Sequence, residues 1–358
     1  MASRTFINRV FRKSGPPIHL VWFITGRCNL KCQHCFYDTS ANPKKDEFSL
    51  EEISKTINNL PPLLSILLTG GEPFLRRDLL EVVKLLAKKG SISNISITTN
   101  GFDTENILKT VEKILNAASN VNIFLGVSID GYEAEHDKYR MRKGSYKNAI
   151  LTIKGLKRLE SNYSNLRLGI GTTLHSGNQH IMINLRKDLY RQFGIYPSIT
   201  LIRGSIKSPV LKNIDAAKYK EVLRDVEKER RKSRPRIPLE SIVNTRGWIG
   251  EKLAYETFIN QSRSYSCYAG SLMGVIYENG DVYPCEMLPR HKLGNLREDD
   301  YDINKVWTST RVKDIGRWIQ KKECFCTYEC QYTCNTSYNV RFAPIFMFNI
   351  LRDMIRKR

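Results

Sequence analysis

No cysteine occurs between Cys35 and Cys267, although the 358-residue chain has nine. A disulfide scaffold uses an even number of cysteines spread along a chain. An odd count gathered into 28–35 and 267–334 favours metal in a reducing compartment. Long apolar runs are missing as well: no uncharged apolar stretch reaches the roughly 18 residues that a spanning helix requires. The start carries no apolar segment ahead of a small-residue cleavage site, so no secretory signal is expected. The expected location is the cytoplasm, with peripheral contact at the inner membrane surface. Acid is scarce relative to base, at 36 Asp and Glu against 57 Lys and Arg, a net charge of +21. That balance argues for an anionic partner (nucleic acid, a phosphorylated substrate or an anionic membrane) or for a lysine-rich solvated surface, without choosing among them.

Residues 1–17 form a basic arm in which Arg4, Arg9, Arg12 and Lys13 interleave with Phe6, Ile7, Val10 and Phe11. The arm reads either as an interfacial anchor or as a helix packed on the core. From 18 to 202 apolar strand candidates (19–24, 64–69, 95–99, 122–129, 166–173 and 197–202) alternate with helical periodicity. Ser49 and Glu52 make a capping box for a helix over 50–60. Asp78 and Asp103 are expected to cap 79–89 and 104–117, and 178–193 carries Ile181, Leu185 and Leu189 at helical spacing. Six βα units predict a parallel sheet with right-handed crossovers. A closed eight-fold barrel needs two more units, so the expectation is an α/β fold, an open partial (β/α)6 barrel. Ligands of such sheets sit at the carboxyl ends of the strands.

The first strand leads into Cys28-Asn-Leu-Lys-Cys32-Gln-His34-Cys35. Three thiolates on one loop can hold three irons of a [4Fe–4S] cube and leave the fourth corner open for a ligand. A zinc knuckle or redox thiols are the alternatives, but C-x3-C-x2-C fits the paired C-x2-C units of zinc sites poorly. The second strand leads into Thr69-Gly70-Gly71-Glu72-Pro73 and the third into Thr98-Thr99-Asn100-Gly101. The fourth gives Ser128-Ile-Asp130-Gly131, followed by Glu135-His136-Asp137, Arg140 and Gly144-Ser-Tyr146. The fifth ends at Thr173-Leu-His175, with Asn178 beyond. Taken singly, Gly-Gly-Glu and Asn-Gly are ordinary turns, and His136 reads as structural.

In this order the motifs resemble those of the radical S-adenosylmethionine (SAM) superfamily, whose fold is the same partial barrel. The resemblance implies that Cys28, Cys32 and Cys35 hold a [4Fe–4S] cluster, with His34 in the family's aromatic position. It implies that Gly70, Gly71 and Glu72 receive the SAM amino group and that Thr99 and Asn100 line the pocket. Ser128 would meet the ribose or carboxylate side, Arg140 the SAM carboxylate, Asp130 either SAM or substrate, and Thr173 the adenine. One-electron cleavage of SAM would give methionine and a 5′-deoxyadenosyl radical that removes hydrogen from a substrate.

Residues 203–262 read as a helical bridge. Its basic run Arg230-Arg-Lys232-Ser-Arg234-Pro-Arg236 suits phosphates or, more simply, a solvated linker. Without interleaved aromatics it offers no base stacking, so nucleic acid is not expected. Over 263–340, Asn279-Gly280 between β-rich runs signals a hairpin that would bring Cys267 and Cys285 together. Cys324, Cys326, Cys330 and Cys334 follow. Two zinc sites are the competitor, yet six cysteines do not supply eight ligands and only His291 lies near. The segment resembles the SPASM or twitch extension of radical SAM enzymes, which carries one or two auxiliary Fe–S clusters. Its second half departs from the family's C-x2-C-x5-C-x3-C-then-Cys, reading C-x-C-x3-C-x3-C with no cysteine after Cys334. By analogy Cys267, Cys285 and Cys334 ligate one cluster and Cys324, Cys326 and Cys330 a second; a single four-thiol cluster stands equally.

Residues 341–358 form a basic amphipathic tail, with Phe346, Met347, Ile350, Leu351 and Met354 on a broad apolar face that docks on the core or on a membrane. The resemblance implies an electron donor such as flavodoxin or ferredoxin and favours a peptide substrate. With about 17 residues before the core, an added leader-recognition domain is not expected. An anionic lipid or phosphorylated small molecule is the alternative substrate, and a zinc-containing nucleic-acid-binding protein the alternative of another class.

Overall fold

The computed structural model describes residues 15–37, 46–232, 238–327 and 329–355. The arm's expected anchor at 1–14, and Arg234 and Arg236 of the basic run, lie outside them.

Six parallel strands run in sequence order: β1 (His19–Thr25), β2 (Ser65–Gly70), β3 (Asn94–Thr99), β4 (Asn122–Ser128), β5 (Leu166–Leu174) and β6 (Ser198–Leu201). Helices α1 (Leu50–Asn59), α2 (Leu79–Lys88), α3 (Thr104–Ala117), α4 (Glu133–Arg140), α5 (Ser145–Asn162) and α6 (Met182–Phe193) fill the crossovers. The alternation of the strands decides which face meets the helices. Ile123, Leu125 and Val127 of β4 and Leu166, Leu168 and Ile170 of β5 are buried in the main core, beside Val111, Ile153 and Leu156 from the helices. The opposite faces carry Ser65, Thr69, Ser96, Thr98, Gly126 and Ser128, small or hydroxylated, with Leu67 and Phe124 among them, and these line the lumen.

The Ser49–Glu52 capping box forms, with Glu52 N–H donating to Ser49 Oγ at 3.2 Å and Ser49 N–H to Glu52 Oε2 at 2.8 Å. Asp103 accepts from Asn106 N–H at 3.5 Å. Asp78 does not cap α2: the Arg76 guanidinium takes its carboxylate at 2.7 Å. Helix α6 starts at Met182, not 178. Asn178 is spent on the turn before it, its Oδ1 accepting from His175 N–H and its Nδ2 donating to the Asp130 and Thr173 carbonyls.

Beyond β6 come α7 (Ala216–Lys232) and α8 (Pro238–Asn260). The described cations of the basic run are paired internally: Arg230 with Glu251, Arg231 with Glu227 and Lys232 with Glu229. The hairpin then forms from β7 (Met273–Ile276) and β8 (Asp281–Tyr283), with Gly280 at a φ of 86° in its turn. It does not stand apart from the barrel. β7 adds to the free edge of β1 in parallel, from His19↔Met273 to Trp22↔Ile276, and β9 (Gly294–Asn295) completes a nine-stranded sheet. Helices α9 (Ile303–Thr308), α10 (Thr310–Gln320), α11 (Glu329–Ser337) and α12 (Ala343–Ile355) follow. No helix among the described residues is long and apolar enough to cross a membrane.

Candidate active site

The carboxyl ends of β1 and β2 are locked together. Gly71 N–H donates to the Thr25 carbonyl at 2.9 Å and Glu72 N–H to the Arg27 carbonyl at 2.7 Å. A Cβ on Gly71 would lie 2.1 Å from the Arg27 oxygen and 3.0 Å from the Cys28 Cβ. Gly70 has a φ of 132°, and a Cβ there would lie 2.2 Å from the Thr25 oxygen. The glycine pair therefore lets the second loop press against the backbone of the cysteine loop.

Glu72 is buried and works behind the wall. Its Oε1 accepts from Thr99 Oγ1 at 2.8 Å and its Oε2 from Asn100 N–H at 2.8 Å. Burial pushes its carboxyl up to about 7 against those hydrogen bonds. Asn100 in turn donates from Nδ2 to Asn29 Oδ1 at 2.8 Å, tying the end of β3 to the cysteine loop. Thr99, Asn100, Ser128 and Thr173 line the lumen.

Asp130, fully buried, is the hub of the far wall. Its Oδ2 lies 2.8 Å from Arg140 Nε, 2.7 Å from Arg140 Nη2 and 3.3 Å from His34 Nε2. Its Oδ1 accepts from Thr173 N–H at 2.9 Å. Burial alone would raise the Asp130 carboxyl, but the Arg140 guanidinium holds it well below the usual carboxylate range. The guanidinium that reaches the lumen is thus already neutralised. Burial lowers His34 to about 3, so the ring is neutral; it stacks on His175 at 5.6 Å, and its Nδ1 has no partner among the described residues. His136 is structural, its Nδ1 accepting from Asp130 N–H at 3.1 Å. Asp137 caps α5, accepting from Ser145 Oγ and Tyr146 N–H, both at 2.8 Å.

Cys28, Cys32 and Cys35 line one end of a cavity of about 920 Å³ that runs the length of the barrel to His19, Arg246 and Cys334. Burial raises the Cys28 thiol to about 12 and raises Cys32 as well, so a metal-free loop holds protonated thiols whose protons a metal would have to displace. Among the described residues no group of three His, Cys, Asp or Glu side chains closes on a single metal ion. Three thiols on one loop, an orphaned imidazole nitrogen and a glycine, Gly171, whose side-chain space is empty fit a cluster with an open corner and a bulky ligand beside it. A second cleft of about 630 Å³, between α7, α8 and α12, is lined by Trp248, Phe348 and arginines and has no cysteine.

The distal cysteines share one buried neighbourhood. Cys267, Cys285 and Cys334 are packed with Cys35, Cys324 and Cys326 at its margin. Burial raises Cys285, and Cys326 and then Cys267 raise it further; Cys324 is likewise raised by burial and then by Cys267. The two trios expected from the sequence are therefore interleaved here. The Cys330 side chain lies outside the described residues. Between the two cysteine fields stand residues that the sequence reading missed. Arg203 lies over the Phe36 ring at 5.2 Å and 3.7 Å from buried Glu286. Arg246 of α8 faces the other end. A position just past the last strand and one next to Cys285 were available signals for Arg203 and Glu286; a lone arginine within a helix gave none for Arg246.

Comparison with known proteins follows the same division. The Radical SAM superfamily model matches residues 22–181, and the SPASM model, described as an iron-sulfur cluster-binding domain, matches 267–335. The Fe-coproporphyrin III synthase of Methanosarcina barkeri is 25% identical over 94% of this chain and 86% of its own. The antilisterial bacteriocin subtilosin biosynthesis protein AlbA of Bacillus subtilis is 27% identical over 87% of this chain and 66% of its own. The structure of Streptococcus suis SuiB bound to precursor peptide SuiA superposes with a TM-score of 0.61 at 15% identity, over 88% of this chain and 70% of that one, a likeness of fold.

Proposed function

Because this chain belongs to the radical SAM superfamily and carries a C-terminal SPASM domain, we propose that its barrel lumen binds SAM beside Cys28, Cys32 and Cys35 and a peptide substrate toward the distal cysteines. It is an enzyme that uses [4Fe–4S] clusters and SAM. Bound clusters supply one-electron cleavage of SAM to methionine and a 5′-deoxyadenosyl radical that takes hydrogen from the substrate. The protein's own part is orientation and exclusion. Gly70 and Gly71 fix the cysteine loop, Glu72 holds Thr99 and Asn100 at the lumen wall, and the Asp130–Arg140 pair with neutral His34 forms the opposite wall.

The observation that carries the reading is the single cavity lined at one end by Cys28, Cys32 and Cys35 and elsewhere by Glu286 and Cys334. A substrate in it would lie between the two cysteine fields. The neighbourhood of Cys267, Cys285, Cys324 and Cys326 supports one four-thiol auxiliary cluster. The net charge of +21 suits an acidic electron carrier such as a flavodoxin or ferredoxin. Peptide chemistry has the support of AlbA's similarity to this chain. A tetrapyrrole carboxylate is the second reading, favoured by the Fe-coproporphyrin III synthase that matches at nearly full length and by the lumen cations Arg203 and Arg246.

Anaerobically reconstituted protein given dithionite and SAM should release 5′-deoxyadenosine. Absence of that product, with full iron retained after alanine replaces Cys28, Cys32 and Cys35, refutes the proposal. Coproporphyrin III titrated into the same protein decides the substrate class: a shifted Soret band that depends on Arg246 supports the tetrapyrrole, and an unshifted band supports the peptide.

A further inference from the structure

Helix α12 has two apolar faces, and the described residues cover only one of them. Phe342, just before it, joins Ile249, Leu253, Tyr265 and Tyr332 in a small core, with Ile345 and Phe346 packed against that core. Asn349 on the same side is buried. Met347, Phe348, Leu351 and Met354 are 59%, 66%, 54% and 55% exposed, and Val340 ahead of the helix is 76% exposed. Positions 347, 351 and 354 stack along three turns with Phe348 alongside. Five of the fourteen large apolar side chains exposed by the described residues thus fall within residues 340–354. Single exposed apolar residues need no explanation, but a contiguous stripe marks an interaction surface.

Charge decides what covers it. The only acid in α12 is Asp353, and it is consumed internally: Ser241 Oγ donates to it at 2.7 Å and Arg352 holds its other oxygen at 2.9 Å. That pairing also spends Arg352, so the cations beside the stripe are exposed Arg341 at its start and Arg356, Lys357 and Arg358, which follow in the sequence. A stripe on one helix, bordered by cations and with its acid neutralised, on a chain of net charge +21, matches the surface of an anionic bilayer. We propose that the uncovered face of α12 seats the protein on anionic phospholipid, its apolar side chains entering the headgroup boundary.

The test is vesicle co-sedimentation of the full-length, cluster-loaded protein. Vesicles of phosphatidylcholine mixed with phosphatidylglycerol are compared with phosphatidylcholine alone. Binding is expected only with the anionic lipid and is expected to weaken as salt rises. Leu351→Ser with Met347→Ser should lower partitioning on the order of tenfold or more, since each removes a side chain buried in the boundary. Both positions are exposed, so circular dichroism and iron content should match the parent protein. Equal sedimentation of parent and variant overturns the proposal. So does a concentration-dependent dimer, seen by ultracentrifugation without lipid, that the same two substitutions abolish. Loss of deoxyadenosine formation leaves this assay unaffected, so failure here and failure of the catalytic reading are separable.

Discussion

Arg140 holds a single carboxylate oxygen of Asp130 with two nitrogens, Nε at 2.8 Å and Nη2 at 2.7 Å, where Asp130 has no solvent exposure. Removing one partner strands the other as a buried charge. Arg140→Met should destabilise the cluster-free protein by about 3 kcal/mol or more in urea unfolding. Ser128→Ala, in the same wall, should cost well under half of that. Equal, small effects from both would mean that the pair is solvated and carries no structural role.

Gly71 and Gly171 separate two uses of glycine. A methyl at Gly71 collides with the Arg27 carbonyl, whereas at Gly171 it meets nothing within 4 Å. Gly71→Ala is expected to lower iron content after reconstitution, because the cysteine loop must move. Gly171→Ala should keep its iron and unfold at the parent's temperature, while binding SAM less tightly, because the methyl enters the lumen. Iron assay and equilibrium dialysis of SAM read the two effects independently.

The Glu52–Arg297 pair joins α1 to the segment after β9, with Arg297 Nε 2.6 Å from Glu52 Oε1. The hydrogen bond from Arg297 is the main cause that lowers Glu52 from 4.5 to about 2. A carboxyl depressed on folding adds stability that is whole above its unfolded value and fades as pH falls from about 4.5 toward 2. Glu52→Gln should therefore cost about 1 kcal/mol at neutral pH, the small value reflecting partial solvent screening. The gap between parent and variant should shrink on acidification; a gap independent of pH refutes the assignment.

If Cys267, Cys285, Cys324 and Cys326 hold one cluster, Cys267→Ala and Cys326→Ala remove the same irons. Iron and sulfide counts should fall by the same amount in each and fall no further in the double variant. Additive losses would restore the two interleaved trios as separate sites.

The six barrel strands were legible as apolar runs set between stretches of helical periodicity; β1, buried on both faces, shows no alternation at all. The hairpin was legible because Asn279-Gly280 offers the backbone that its turn requires. The parallel joining of β7 to β1 was not, because nothing in Met273–Ile276 states which edge will receive it. Asp78 misled for a local reason: a side chain suited to capping met a stronger partner two residues away, Arg76. The loop cysteines announced themselves by spacing. Glu72 was singled out only through the resemblance, and its engagement with Thr99 and Asn100 depended on a neighbouring strand end that sequence separation hides. The tail read as one broad apolar face; its division into a covered and an exposed side depends on α8, whose Ile249 and Leu253 select Ile345 and Phe346 over Met347 and Leu351.

The ladder between β1 and β7 also sets a distance. One strand runs out into the loop of Cys28 at its carboxyl end, and the other begins six residues after Cys267 at its amino end, so the two sulfur fields hang from opposite ends of two paired strands. Electron tunnelling slows steeply with separation. A gap set by backbone pairing is held by the hydrogen bonds of the sheet itself, independently of whatever occupies the lumen between its ends.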